Sequence, residues 1–180
     1  MKSKPRAADD YVKLEERLVL ADWAVHQFGY ESNRSMLEDL KERGEGFDSS
    51  GESFLLQGIL SKGSACKISR DDLERYDSNI KSHRTYFNYH RREPLTLRYF
   101  QHLSLLIAER FLDLLFNHKQ LLQQELNEFV ERRNQKREVL GFSDSKFTAA
   151  DLTKLAFWMA TGSGKTILMH FHYRQFLHYN

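Results

Sequence analysis

Met159-Ala160-Thr161-Gly162-Ser163-Gly164-Lys165-Thr166 follows an apolar run, Lys154-Leu155-Ala156-Phe157-Trp158-Met159, and leads into a segment from Thr166 to Leu177 that has no Pro or Gly. The run before it has the composition of a strand buried on both faces. The segment after it is rich in strong helix formers. Strand, glycine-rich turn and helix, in that order, make a phosphate-binding loop. The start of a helix has unpaired N–H groups and partial positive charge, so it holds an anion. Gly162 and Gly164 let the backbone wrap a phosphate at a distance that a Cβ would block. Lys165 then sets an ammonium on the outer phosphates, and Thr166 offers a hydroxyl to a Mg²⁺ ion bridging them. The alternative is a glycine-rich turn that merely joins a strand to a helix.

The general pattern G-x-x-x-x-G-K-[ST] asks for glycine where this chain has Met159. Ala160-Thr161-Gly162-Ser163-Gly164-Lys165-Thr166 after an apolar strand resembles motif I of the superfamily 2 nucleic-acid motors. It is closest to the DEAD/DEAH-box helicases and the Res subunits of type III restriction enzymes. A second patch, Leu97-Arg98-Tyr99-Phe100-Gln101, is similar to the Leu-Arg-Pro-Tyr-Gln element that precedes motif I in that group, with Tyr99 where Pro is usual. The resemblance implies ATP and Mg²⁺ as cofactors, with Thr161, Gly162, Ser163, Gly164, Lys165 and Thr166 around the phosphates. Thr166 would sit on the metal, and Lys165 and Thr166 would serve catalysis. It also implies that Gln101 reads adenine through its amide, donating to N7 and accepting from the exocyclic amine. The implied partner is DNA foremost, with RNA as the alternative, and a modification or specificity subunit of a restriction system. A leucine-rich core helix carrying one glutamine also accounts for the second patch.

The expected fold is mostly α. Residues 1–94 form a helical accessory region, and residues 95–180 begin a RecA-like ATPase domain whose first βα unit holds the loop. The 180 residues, 41% hydrophobic and 29% charged, have ordinary globular composition, and a net charge of +2 does not by itself argue for nucleic acid. The one cysteine, Cys66, allows no internal disulfide and no cysteine-based zinc cluster, so a reducing cytoplasm is the expected compartment. The basic N-terminus has no apolar stretch after it. Leu103 to Phe116, the most apolar segment, is interrupted by Glu109, Arg110 and Asp113 and is too short to span a bilayer.

In chain order, Asp9 or Asp10 caps a helix carrying Val12, Leu14, Leu18, Trp23, Val25 and Phe28, and Gly29 stops it. Ser35 opens a short helix by capping-box spacing, and residues 44–51 read as a mobile linker. Phe54 to Leu60 reads as a turn or two of helix. After Ser69, the positions Leu73, Tyr76, Ile80 and Phe87 mark one helix face. The same helix carries Lys81, His83, Arg84, His90, Arg91 and Arg92 among Tyr86, Phe87 and Tyr89, which either tracks a nucleic-acid strand or is a solvated face. Pro94 ends it, Thr96 caps a buried helix from Leu97, and Leu121 to Val130 is an inserted helix. His170 and His172 lie two apart on a helix and point to different sides, so no protein metal site is expected.

Read this way, the chain is the N-terminal part of an ATP-dependent helicase or translocase. Two other classes stay open: another P-loop ATPase or kinase, and a helical module that binds nucleotide or a partner without turnover. Only 14 residues follow Thr166, so residues 1–180 alone are expected not to hydrolyse ATP.

Overall fold

The computed structural model describes residues 18–89, 91–137 and 143–180. These form seven α-helices: α1 (Val19–Gln27), α2 (Asn33–Glu42), α3 (Phe54–Leu60), α4 (Arg70–Asn88), α5 (Tyr99–Asn117), α6 (Lys119–Arg137) and α7 (Lys165–Tyr179). Short 3-10 turns stand at Gly63–Ala65 and Asp151–Thr153. The chain is thus mostly α, as expected. Among the described residues there is no strand, and the isolated bridge between Phe47 and Ser53 is remote from the loop in sequence.

Serine side chains start three of the helices. The Oγ atoms of Ser32, Ser53 and Ser69 accept from the N–H groups of Ser35 (3.1 Å), Leu56 (3.0 Å) and Asp72 (3.1 Å), satisfying donors that the first helical turn leaves orphaned. The cap of α2 is therefore Ser32, three residues before the expected Ser35. Gly29 stops α1 as its type suggested, at φ +81°, and a Cβ there would lie 2.7 Å from the Cys66 nitrogen. The expected caps at Asp9 and Asp10, with Val12 and Leu14, lie outside the described residues.

Residues 44–51 form a hydrogen-bonded loop rather than the mobile linker expected from their composition. Asp48 Oδ1 accepts from the N–H groups of Ser50 (2.9 Å) and Glu52 (3.0 Å), closing an Asx-type turn that composition alone does not distinguish from a loose one. The Phe47 ring lies under the cationic groups of Lys81 (5.2 Å) and Arg84 (5.1 Å), fastening the loop to α4.

Helix α5 is the wall shared by two cores. Leu103, Leu105 and Leu106 pack with Phe28, Met36, Leu40, Ile80 and Phe171, while Phe111 and Leu114 pack with Trp23, Leu122, Leu126 and Leu152. Packing therefore runs across residue 94, joining α1 to α4 with α5 and α7. The expected inserted helix is α6, which follows α5 after His118 and folds back on it as an antiparallel hairpin partner.

Burying α5 also buries its acids. Asp113 Oδ2 accepts from the Tyr76 hydroxyl (2.5 Å) and Arg75 Nη2 (2.9 Å), and Oδ1 accepts from Asn117 (2.8 Å). Burial pushes its carboxyl up, but these bonds outweigh burial and the net shift is downward. Asp113→Ala should destabilise the fold by about 1–3 kcal/mol at pH 7, because the buried Tyr76 hydroxyl loses its acceptor. Since the folded-state pKa is depressed, the gap between wild type and variant should persist at pH 5 and narrow only as pH falls through the carboxylate range. Urea melts across that range measure it.

Candidate phosphate-binding site

The approach to the loop is extended and unpaired. Residues 154–159 hold no ladder partner among the described residues, and Phe157 (38%) and Trp158 (86%) are exposed, so the expected strand buried on both faces is not formed. A parallel strand takes its hydrogen bonds from neighbours. None is present among the described residues, and the segment leans instead on α7, where Phe157 stacks on His172 with centroids 3.9 Å apart and planes 14° from parallel.

The loop itself has the predicted geometry. Gly162 (φ +79°) and Gly164 (φ +86°) are both left-handed, and nothing lies within 4 Å of where a Cβ of Gly162 would be. Gly164 is the N-cap of α7, and its carbonyl accepts the first helical bond from Leu168 N–H at 3.1 Å. That geometry leaves the N–H groups of Lys165, Thr166 and Ile167 without intrahelical acceptors, the arrangement that suits an anion. Lys165 Nζ donates to the carbonyls of Met159 (3.1 Å) and Ala160 (3.2 Å), so its ammonium lies over the loop. Thr161 and Thr166 are exposed and Ser163 is half-buried.

Gln101 meets this loop. Its Nε2 donates to the Ser163 carbonyl at 2.9 Å across 62 residues of sequence, while its Oε1 accepts from Arg98 N–H at 2.9 Å and so caps α5. The cap of α5 is therefore made by Gln101 on Arg98, two residues beyond the expected Thr96. With the oxygen engaged, one amide hydrogen of Gln101 remains for another acceptor.

Sequence reading missed the residues that hold α7 in place. Gln175 Nε2 donates to the Leu105 carbonyl (2.9 Å) and to Glu109 Oε1 (2.8 Å), and the Tyr179 hydroxyl donates to Glu109 Oε2 (2.7 Å). Burial pushes the Glu109 carboxyl above its usual range, and the bonds from Tyr179, Asn79 and Gln175 recover only part of that cost. The available signal was the four-residue spacing Phe171, Gln175, Tyr179 on one helix face. Of the apolar positions on α7, Leu168 and Phe171 are buried and Ile167 is partly so, while Phe176 is 43% exposed at the edge of Phe116.

Other constellations reduce to structure. Ser53 Oγ (2.7 Å) and His102 Nε2 (2.9 Å) both reach the same oxygen of Asp77, so the serine is not on the imidazole, and all three side chains are buried. No nucleophile–base pair results. The basic and aromatic positions of α4 are largely committed: Lys81 pairs with Asp77 (3.2 Å), Arg84 donates to the Leu95 carbonyl (2.7 Å), and Phe87 packs on Phe171. His83 is buried, its pKa lowered to about 4 by burial and by the nearby Arg174 and His178. Tyr86, Tyr89, Arg91 and Arg92 remain exposed, and His90 lies outside the described residues. No group of metal-ligating side chains is assembled among the described residues, and none of their helices is long and apolar enough to cross a membrane. No protein-family model, curated protein or solved structure matches the chain.

The closeness of loop and glutamine gives a test of geometry alone. A Cβ on Gly164 would lie 2.5 Å from Gln101 Nε2. Gly164→Ala should therefore cost more than the roughly 1–2 kcal/mol that left-handed backbone exacts from an L-residue. In a Gln101→Ala background the cost should fall back toward that figure, a coupling that a double-mutant cycle of denaturant midpoints resolves.

Proposed function

We propose that the loop from Thr161 to Thr166 binds the phosphates of ATP, and that the chain is part of an ATP-dependent nucleic-acid motor of the helicase or translocase type. The observation that carries this is the contact between Gln101 and Ser163. The two patches that resemble the superfamily 2 motors, far apart in sequence, meet at one hydrogen bond beside the left-handed glycines.

The residues fit their roles. Gly162 leaves room for a phosphate against the backbone, and the first turn of α7 supplies N–H donors to it. The Lys165 ammonium exchanges its two carbonyl acceptors for the outer phosphates, where negative charge gathers during phosphoryl transfer. The exposed Thr166 hydroxyl would hold a Mg²⁺ ion bound with the nucleotide, and the ion would supply neutralisation of the phosphate charge. Gln101 fixes the loop through Ser163 and keeps one amide hydrogen for the adenine edge. Residues 154–159 would take the strand position of a RecA-like βα unit beside a neighbouring strand. DNA is the polymer favoured, with RNA second.

One observation favours a second reading, a helical module that binds nucleotide without turnover: the segment before the loop is unpaired among the described residues. Turnover separates the two when it is measured on the longest natural form of the protein, with and without DNA or RNA, since residues 1–180 alone are expected to be inactive under either reading.

Lys165→Ala should weaken binding of Mg·ATP at least tenfold in calorimetric titration while leaving the melting midpoint nearly unchanged, since the side chain is exposed. Unaltered affinity would sink the assignment. Gln101→Ala should narrow the preference for ATP over GTP by the loss of a base-edge hydrogen bond, on the order of 1 kcal/mol.

A further inference from the structure

A second charged site lies away from the loop. Between α1, α6 and the segment after the Gly63–Ala65 turn is a cleft of about 300 Å³, lined among others by His26, Lys67, Arg132 and Lys136. Its floor is clamped. Arg133 pairs with Asp22 on α1 and, at 2.7 Å, with Asp144, while Lys67 is tied by its backbone N–H to the Gln27 carbonyl at 2.9 Å.

The cations at its mouth are exposed and have no ion-pair partner among the described residues. Asp22 is taken by Arg133, which leaves Glu31 as the other carboxylate lining the cleft. Arg132 and Lys136 stand four apart on α6, a like-charge placement that costs stability where nothing compensates it. A helix favours cations in its last turn, but Lys67 comes from a different part of the chain and converges on the same space. His26 senses the gathering. Its ring hydrogen-bonds the Asp22 carbonyl through Nδ1 at 2.8 Å, and its pKa is lowered by burial and then by Lys67, Lys136 and Arg132, with Glu31 opposing.

We propose that this cleft binds the phosphodiester backbone of a nucleic-acid strand, with Lys67, Arg132 and Lys136 as the cations that meet it. The volume exceeds what one phosphate needs, since a water in liquid occupies about 30 Å³. Three cations drawn from two elements, Arg132 and Lys136 on α6 and Lys67 from the segment before α4, suit a chain of phosphates better than one small anion. The inference shares the nucleic-acid partner of the proposed motor but does not depend on ATP binding.

The test is fluorescence anisotropy of labelled single-stranded DNA, duplex DNA and RNA with the whole chain across a range of salt. The triple variant Lys67→Gln, Arg132→Gln, Lys136→Gln should lose at least tenfold in affinity. Its plot of log affinity against log salt should flatten by about 2 for a single strand, since each lost phosphate contact contributes about 0.7. The His26 pKa, followed by NMR, should rise when oligonucleotide is added to the wild type and stay put in the variant, because a phosphate opposes the charge of the three cations. Lys67→Gln alone, a change outside any helix, should flatten the slope by roughly a third as much and guards against misfolding of the triple variant. Equal affinity and slope in wild type and variants would overturn the proposal, as would no oligonucleotide binding, or binding of inorganic pyrophosphate alone. Mg·ATP titrations on the same preparations keep the two ideas apart. Oligonucleotide binding through the cleft without ATP binding overturns the motor and leaves the cleft, whereas ATP binding without oligonucleotide binding overturns the cleft and leaves the ATP-binding loop.

Discussion

A carboxylate buried on a helix must find donors or give up its charge, and α5 carries two such acids, Glu109 at 0% and Asp113 at 5% exposure. Most of the architecture follows from satisfying them. Asp113 is met by Arg75, Tyr76 and Asn117, so α4 must lie along α5 with its Tyr76 face inward. Glu109 is met by Asn79 from α4 and by Gln175 and Tyr179 from α7, which sets α7 against α5 along much of its length. Apolar contacts supply the bulk of the favourable energy but are indifferent to small shifts of register. The acids are not. Gln175 also reaches the Leu105 carbonyl, so a slide of α7 by one turn would strand several buried polar groups at once.

The loop inherits that register. Because α7 is pinned at Gln175 and Tyr179, its first turn falls beside the first turn of α5, where Gln101 reaches Ser163. Thus residues near the end of α7 position the glycine-rich loop at its start. The chain of support runs from Glu109 through α7 to Gly164, and the link is rigid because helix and core are both close-packed.

Much of this was legible in sequence, and the rest was hidden for physical reasons. The loop could be read because glycine, lysine and threonine at fixed spacing have few other uses, and both left-handed glycines stand where expected. Helices α3 to α7 could be read from apolar spacing and helix-forming composition, though the caps of α2 and α5 were misplaced by a few residues: Ser32 and Ser35 both have the chemistry of a cap, and α5 is capped at Arg98, whose N–H donates to Gln101, instead of at Thr96. The strand expected at 154–159 is not formed among the described residues, because composition reports what a segment would bury, not whether a partner strand is there to pair with it. Residues 44–51 were misjudged because Asp48 organises them through hydrogen bonds that no periodicity encodes. The clamp at Glu109 and Gln175 is a match between residues distant in sequence, and the cleft at Lys67 likewise needs three elements brought together.

The state of Lys165 shows how much of a binding loop is prepared in advance. Its ammonium bonds two neutral carbonyls of its own loop, at an exposed site where each such bond has a net worth of about 1 kcal/mol. A phosphate would offer the same ammonium an ionised acceptor, adding a charge–charge attraction that a neutral carbonyl lacks. The exchange therefore favours the anion, and it asks little else of the protein. The glycines already hold left-handed conformations, Gln101 already fixes the Ser163 carbonyl, and the space a Cβ of Gly162 would take is open. Ordering costs that a flexible turn would meet on binding are met here during folding, by the apolar packing of α7 on α5 in the register that the buried acids select.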